Sequence, residues 1–317
     1  MVQLDPAHIA RFREDLAQLM PDGGPLGLAV SGGPDSLALL LLAHAAQLPI
    51  AAATVDHQLR PEARNEADFV AQLCAERGIA HEILTLDASP KGNISAWART
   101  ARYAALADWK ARHGLSAIAT AHHADDQLET VLMRMNRGSG VSGLAGIRAR
   151  QGFILRPLLS WRKADLEALV AAAGITAVTD PSNFDPRFDR ARLRQALREA
   201  DWLDAQGAVR SARALQSADD ALDWVCTTVL NARISASNKG ALTLNAADIP
   251  FELQRRMLWR CLKAVQPDAA PREDEVLRLI PRLLAGETAT LGGVKCVGGA
   301  IWTFSAAAPP RGLARNS

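Results

Sequence analysis

Apolar runs alternate with polar, glycine-punctuated stretches through the first half of the chain. Leu26 to Val30 is a short apolar run that ends in a glycine pair, and Leu37 to Leu48 is a second run that follows at once. The order predicts a buried strand, a tight loop and a buried helix. Asp5 to Met20 is moderately amphipathic and predicts a lead-in helix. Strand and helix patterns then alternate: Ile50–Val55, Glu62–Arg77 closed by Gly78, Ile79–Leu84, Ile94–His113 closed by Gly114, Leu115–Ala121 and Ala124–Arg137. Repeated βα units predict an α/β fold with a parallel, doubly wound sheet covered on both faces. Ligands bind at the carboxyl ends of such strands. Ser31-Gly32-Gly33, Asp56-His57 and His122-His123 all lie just past strand ends, so the topology places them on one rim.

Further along, the glycine-rich stretch 138–146 predicts a flexible loop. Ile154–Leu159 reads as extended, and Ser160 is placed to cap a helix from Trp161 to Ala173. Asp180-Pro181-Ser182-Asn183 is a turn cluster, followed by an arginine-rich segment from Arg187 to Arg198. The pattern divides the chain into a first domain to residue 204, a linker helix over 205–232 and a small helix-rich module over 233–317. In that module, residues 242–305 are expected to mix a short strand, helices at Phe251–Val265 and Arg272–Leu284, and a terminal strand or hairpin around Lys295–Phe304. The last stretch, from Ala306, is expected to be loose.

Composition narrows the class. Of 317 residues, 49% are apolar and 22% charged, which suits a chain with sizeable cores. The net charge of +2 confines any nucleic-acid surface to a local patch. Cys74, Cys226, Cys261 and Cys296 are far apart without a C-x-x-C, which argues against a zinc site or an iron–sulfur cluster. Sparse cysteines, no signal-peptide pattern and no apolar run long enough to span a bilayer predict a cytoplasmic protein with no membrane partner.

The polar motifs carry the candidate chemistry. In Ser31-Gly32-Gly33-Pro34-Asp35-Ser36 the glycines permit close approach of a ligand, and Pro34 suits a first helical turn. Free N–H groups at that helix start attract a phosphate or pyrophosphate. The loop lacks the lysine of G-x-x-x-x-G-K-[ST] and is not G-x-G-x-x-G. Asp56, at a strand tip, can bond a ribose hydroxyl or a purine edge, and Arg60 can meet a phosphate. His122, His123, Asp125, Asp126 and Glu129 crowd a second helix start. The acids there either complement the helix dipole or form a cluster that holds Mg²⁺ or receives an ammonium group. Arg99 and Arg102 share a helix face beside Tyr103, and serve either phosphate binding or solvation. Arg187, Arg190, Arg194 and Arg198 step by three, four and four, which makes one stripe on a helix, with Arg192 beside it. RNA backbone contacts suit that stripe, and a solvated face offset by Asp185, Asp189 and Glu199 is the alternative.

Taken in order, S-G-G-P-D-S, V-D-H-Q-L-R, A-H-H-A-D-D-Q-L-E-T, R-G-S-G-V-S-G-L-A-G-I, R-P-L-L and D-P-S-N-F-D resemble the tRNA(Ile)-lysidine synthetases, N-type ATP pyrophosphatases of the PP-loop superfamily. The resemblance implies an adenine nucleotide alpha-hydrolase-like fold with a C-terminal tRNA-contacting domain. A second C-terminal domain of longer relatives is not expected. The implied reaction uses ATP to adenylate C2 of the wobble cytidine in a tRNA(Ile) with a CAU anticodon. Free L-lysine then displaces AMP. By this resemblance Ser31 to Ser36 hold the departing pyrophosphate, and Asp35, with Asp125, meets Mg²⁺. Asp56 and His57 face the adenosine. His122, Asp126 and Glu129 surround the reacting centre. Arg187 to Arg198, with Arg99 and Arg102, grip the tRNA. Homodimers occur in the family. Relatives usually carry R-N-x-x-R where this chain has Arg190-Ala191-Arg192, and often an acid near Ser95. The rivals are a tRNA 2-thiocytidine enzyme, which calls for a cysteine pair, an amidating synthetase, which calls for a glutaminase domain, and a tRNA- or ATP-binding module without catalysis.

Overall fold

The computed structural model describes residues 4–58, 62–86, 94–178, 187, 189–200, 202–236 and 241–308. Arg60, the turn at Asp180–Asp185 and the chain from 309 onward lie outside the described residues. The chain divides into two compact units, Met1–Gln216 and Ser217–Ser317.

The first unit is built on β1 (Leu26–Ala29), β2 (Ile50–Asp56), β3 (Ala80–Thr85), β4 (Ala117–Ala119), β5 (Arg150–Gln151) and β6 (Ile154–Leu155). Their order is β3-β2-β1-β4-β6-β5, with β5 antiparallel to β6 and the other neighbours parallel. Such a sheet is covered on both faces, which is why its strands read as continuous apolar runs. On one face lie α1 (Pro6–Leu19), α2 (Pro34–Ala45) and α7 (Lys163–Ala172). Leu37 to Ala43 of α2 are all buried, because the helix meets the sheet, α1 and α7 together. On the other face α4 (Ile94–Arg112) sets Leu106 and Trp109 against Ala53, Leu84 and Ile118. Gly27 permits this: a Cβ there would stand 2.6 Å from the Trp109 ring and 2.5 Å from Ile118. α3 (Glu62–Ala75) packs on β2 and β3, and α5 (Ala124–Asn136) follows β4.

The predicted strands and helices of this unit are present with bounds shifted by one to four residues. The glycine-rich stretch differs more. It contains a one-turn helix, α6 (Val141–Leu144), and Arg134 Nη1 donates to the carbonyls of Gly143 (2.6 Å) and Gly146 (3.0 Å). Gln127 pins Ile147 through both its backbone groups. α8 (Asp189–Leu197) packs against α5. α9 (Ala205–Val225) begins in this unit, where Ala205 and Val209 pack on Ala124 and Leu128. The predicted linker helix ends sooner than the pattern suggests: a π turn at Cys226–Leu230 and a 3-10 turn at Asn231–Arg233 follow.

The second unit holds α10 (Phe251–Val265) and α11 (Glu273–Leu284) over an antiparallel sheet. Its strands are β7 (Ile234–Ala236), β8 (Leu242–Asn245), β9 (Thr288–Leu291), β10 (Val294–Val297) and β11 (Ile301–Ala306), in the order β7-β8-β11-β10-β9. Trp302, Phe304, Met257 and Ile280 fill the core between helices and sheet. Arg256 is buried there and donates to Asp219 (2.6 Å), Asp223 (2.7 Å) and Glu252 (2.7 Å). Among the described residues no helix is long and apolar enough to cross a membrane.

Candidate functional site

In the first sheet, β1 pairs with β2 on one side and β4 on the other. The chain reverses its winding between β1 and β4, and open α/β sheets bind their ligands in a crevice at such a point, between the segments that leave the two strands. Ser31 to Ser36 leave β1, and His122 to Glu129 follow β4.

The loop after β1 is organised by one hydroxyl. Ser36 Oγ donates to the Gly33 carbonyl (2.9 Å), accepts from the Ser31 amide (3.1 Å) and lies 3.3 Å from Ser31 Oγ. Gly32 has φ +82°, a left-handed conformation, and its carbonyl accepts from the Val178 amide at 3.0 Å. Gly33 caps α2 without any side-chain hydrogen bond, and Pro34 opens the helix. The first amides of α2 are therefore open to an anion. Asp35 Oδ1 is buried there and makes no hydrogen bond.

The helix after β4 is closed instead. His123 Nδ1 accepts from the Asp126 amide (3.3 Å), while Asp126 Oδ2 accepts from the His123 amide (3.2 Å), a reciprocal capping box. With Nδ1 accepting, the His123 proton sits on Nε2. That atom lies 3.5 Å from Asp35 Oδ2 and 3.5 Å from Asp126 Oδ2. Burial opposes the imidazolium of His123, but the bond to Asp35 and the charges of Asp126, Asp35 and Asp125 outweigh it and raise its pKa. His122 behaves oppositely. Burial lowers its pKa to about 4, against the pull of Asp126 and helped by Arg156, Arg102 and Arg190. Its Nδ1 lies 3.0 Å from Thr120 Oγ1.

The acids of α5 have definite partners. Asp125 grips Arg162 (Nη2 to Oδ1, 3.0 Å) and accepts the Lys163 amide at 2.7 Å. It thus caps α7, and its oxygens are already engaged, which turns it away from the metal role expected of it. Asp126 and Glu129 bind Arg190 and Arg194 of α8. Burial alone would raise the Asp126 pKa; His123, Arg190 and His122 bring it below the usual carboxylate range. The arginine stripe is therefore divided. Arg190 and Arg194 turn onto the acids, whereas Arg187, Arg192 and Arg198 are exposed, with Arg192 held by Asp189.

Asp56 is buried at the end of β2, and its Oδ1 accepts from the Gln58 amide at 2.9 Å. His57 is half-buried with Nδ1 unbonded; burial and Arg102 lower its pKa, and Asp56 acts against them. On α4 the guanidinium carbons of Arg99 and Arg102 lie 5.1 and 5.3 Å from the Tyr103 ring centre. Sequence reasoning assigned no role to two cations, one of which, Arg156, opens the R-P-L-L motif. Arg162 clasps an acid 37 residues earlier, a pairing that no local spacing announces. Arg156 is buried at 3% exposure, donates to the Arg148 carbonyl and Gln151, and its charge reaches both Tyr103 and His122. Among the described residues no group of three His, Cys, Asp or Glu side chains is placed to hold a metal ion. A cavity of about 450 Å³ lies elsewhere, lined by Leu16, Met20, Leu26 and Pro49 at the amino ends of β1 and β2.

A family model described as a PP-loop domain matches residues 8–200. The chain is 46% identical over 307 residues to the tRNA(Ile)-lysidine synthase of Novosphingobium aromaticivorans, covering 94% of this chain and 93% of that one. It is 41% identical over 300 residues to the tRNA(Ile)-lysidine synthase of Zymomonas mobilis, covering 92% and 91%. Among solved structures, the U34-tRNA thiolase NcsA from Methanococcus maripaludis aligns with a TM-score of 0.55 at 18% identity, over 66% of this chain and 78% of that one. That likeness is one of fold.

Proposed function

We infer that this chain, which belongs to the tRNA(Ile)-lysidine synthases of the PP-loop family, uses ATP to ligate L-lysine to C2 of the wobble cytidine in the CAU anticodon of tRNA(Ile). The observation that carries the reading is identity above 40% across more than nine-tenths of the chain, both units included. Adenylation joins the cytidine oxygen to the α-phosphorus and releases pyrophosphate. Attack by the lysine ε-amine at C2 then releases AMP.

The geometry at the crevice supports roles for the residues. The uncapped start of α2 and the Ser31–Ser36 loop would receive the β,γ-phosphates, because open amides stabilise the charge that develops as pyrophosphate departs. Asp35 Oδ1, buried and unbonded, would hold Mg²⁺, which supplies charge neutralisation to the phosphates when bound. Asp125 is not needed for this, since its oxygens serve Arg162 and Lys163. Asp56 and His57, at the tip of β2, would face the adenosine.

Lysine must attack as a free amine. The arginines that help keep His122 neutral, Arg156, Arg102 and Arg190, also disfavour an ammonium beside them, so they favour loss of the amine proton. The same charges oppose an imidazolium, so His122 stays neutral there, its Nδ1 3.0 Å from Thr120 Oγ1. Arg99, Arg102, Arg187, Arg192 and Arg198, all at least partly exposed, would meet the RNA backbone. A thiolating enzyme is disfavoured, because all four cysteines are buried free thiols. The test is release of AMP and pyrophosphate from ATP by the purified protein. It should require both lysine and a CAU-anticodon tRNA for multiple turnover; equal turnover with sulfide in place of lysine would overturn the reading.

A further inference from the structure

Arg190 and Arg194 stand one turn apart on α8, and both straddle the same two carboxylates of α5. Arg190 donates from Nε to Glu129 Oε2 (2.6 Å) and from Nη2 to Asp126 Oδ1 (2.9 Å). Arg194 repeats the pattern, from Nε to Glu129 Oε1 (2.7 Å) and from Nη2 to Asp126 Oδ1 (3.3 Å). The remaining oxygen, Asp126 Oδ2, accepts from the His123 amide at 3.2 Å. Every carboxylate oxygen of the pair is thus engaged, and the two acids are only 9% and 4% exposed. An ammonium group or a metal ion could reach them only by displacing a guanidinium, which breaks a buried pair.

The cluster sits beside the anion site. His123 Nε2 is 3.5 Å from Asp126 Oδ2 and 3.5 Å from Asp35 Oδ2, so one imidazole separates the guanidinia from the opening residues of α2. Asp35's charge is felt at Arg194. Arg190 keeps 41% of its side chain exposed despite its two bonds, and its Nη1 makes no hydrogen bond among the described residues. Two like charges one turn apart repel. The shared carboxylates remove that repulsion and fix both planar forks, which matches what recognition of a phosphate requires.

We propose that Arg190 and Arg194 clamp the α-phosphoryl group of ATP during adenylation, and that Asp126 and Glu129 are positioning residues that aim the two guanidinia. The proposal rests on the lysidine-forming reading above. In the clamped step a lone pair of the cytidine O2 forms a bond to the α-phosphorus. The bond from that phosphorus to the bridging oxygen breaks, and its electron pair leaves with pyrophosphate. The arginines neutralise negative charge on the non-bridging oxygens; they exchange no proton.

The experiment separates the two half-reactions in the full chain. ATP labelled at the α-phosphate and saturating CAU-anticodon tRNA, without lysine, report single-turnover adenylation. Filter binding reports tRNA affinity, and the complete reaction reports KM for lysine. Arg190→Ala and Arg194→Ala should each slow adenylation by about a hundredfold, the loss typical of a removed transition-state donor, with tRNA affinity and KM for lysine unchanged. Asp126→Asn should slow adenylation as well, and the double variant Asp126→Asn/Arg190→Ala should be no slower than Arg190→Ala alone. Arg190→Lys and Arg194→Lys keep charge without the fork and should recover part of the rate; they also serve if an alanine variant fails to fold. Normal adenylation with weakened tRNA binding would make the stripe an RNA contact and overturn the clamp. Intact adenylation in Asp126→Asn with a raised KM for lysine would overturn it in favour of an ammonium site. Absence of adenylated tRNA from the wild-type chain would instead fault the lysidine-forming reading itself.

Discussion

His123 Nε2 lies 3.5 Å from Asp35 Oδ2 and thereby joins the segment leaving β1 to the segment leaving β4. The two residues are 88 positions apart in sequence. They meet because the sheet reverses its winding between these strands. The contact sets an uncapped helix start beside a capped one. The open end, at α2, is suited to the anion; the closed end, at α5, presents side chains to it.

Replacing the bridge separates its two duties. His123→Ala loses the cap of α5 and the 3.5 Å contact with Asp35, and should cost about 1 kcal/mol or more in chemical denaturation. KM for ATP should rise. His123→Asn offers a capping oxygen but not the reach to Asp35, so stability should recover while KM stays raised. Recovery of both would show that the bridge does nothing beyond capping.

Gly32→Ala should impair nucleotide binding. The residue has φ +82°, and an added Cβ would stand 3.3 Å from Val178 Cγ2. The left-handed conformation costs a non-glycine residue about 1–2 kcal/mol. Isothermal titration with ATP should show weaker binding than wild type, and equal affinity would remove the loop conformation from the account.

Stability should depend on pH in two opposed ways. His122 has a folded pKa lowered to about 4, so the unfolded chain binds the extra proton between about 6.5 and 4, and stability falls as pH is lowered through that window. His123 has a raised pKa, so its contribution is full below the unfolded value and is lost as pH rises through the folded one. Urea midpoints measured across pH should show the acid loss reduced in His122→Asn. His57 and His81, also lowered by burial, should leave a remainder. An unchanged acid limb would mean that His122 is solvated.

In the second unit, Arg256→Ala should destabilise by about 3–5 kcal/mol, because the buried Asp219 carboxylate would lose the guanidinium that bonds it at 2.6 Å. Replacing both residues with apolar side chains should cost less. Denaturation monitored by tryptophan fluorescence, with Trp302 in that core, checks the difference.

The sheet of the first unit was legible because its central strands β1 and β4 are almost wholly buried and α2 is buried from Leu37 to Ala43. Glycines at 78 and 114 marked helix ends by their need for positive φ. The second unit was less legible. Its strands are three to six residues long, too short to show a period, and the two amphipathic helices dominate the pattern. At the site, spacing put Arg190 and Arg194 on one face of a helix but not which neighbour that face meets. Expected to point at RNA, they lie on Asp126 and Glu129, which precede them by 61 to 68 positions. Asp125 carried the same ambiguity, since a helix start lined with acids reads alike for a metal ligand and for a cap donated to α7.

The central claim is the product. Mass spectrometry of the CAU-anticodon tRNA(Ile), after incubation with this chain, ATP, Mg²⁺ and lysine, tests it most directly. The account predicts a lysine adduct confined to the wobble cytidine. An unmodified cytidine in the presence of a well-folded chain, or a sulfur-substituted one, would contradict it.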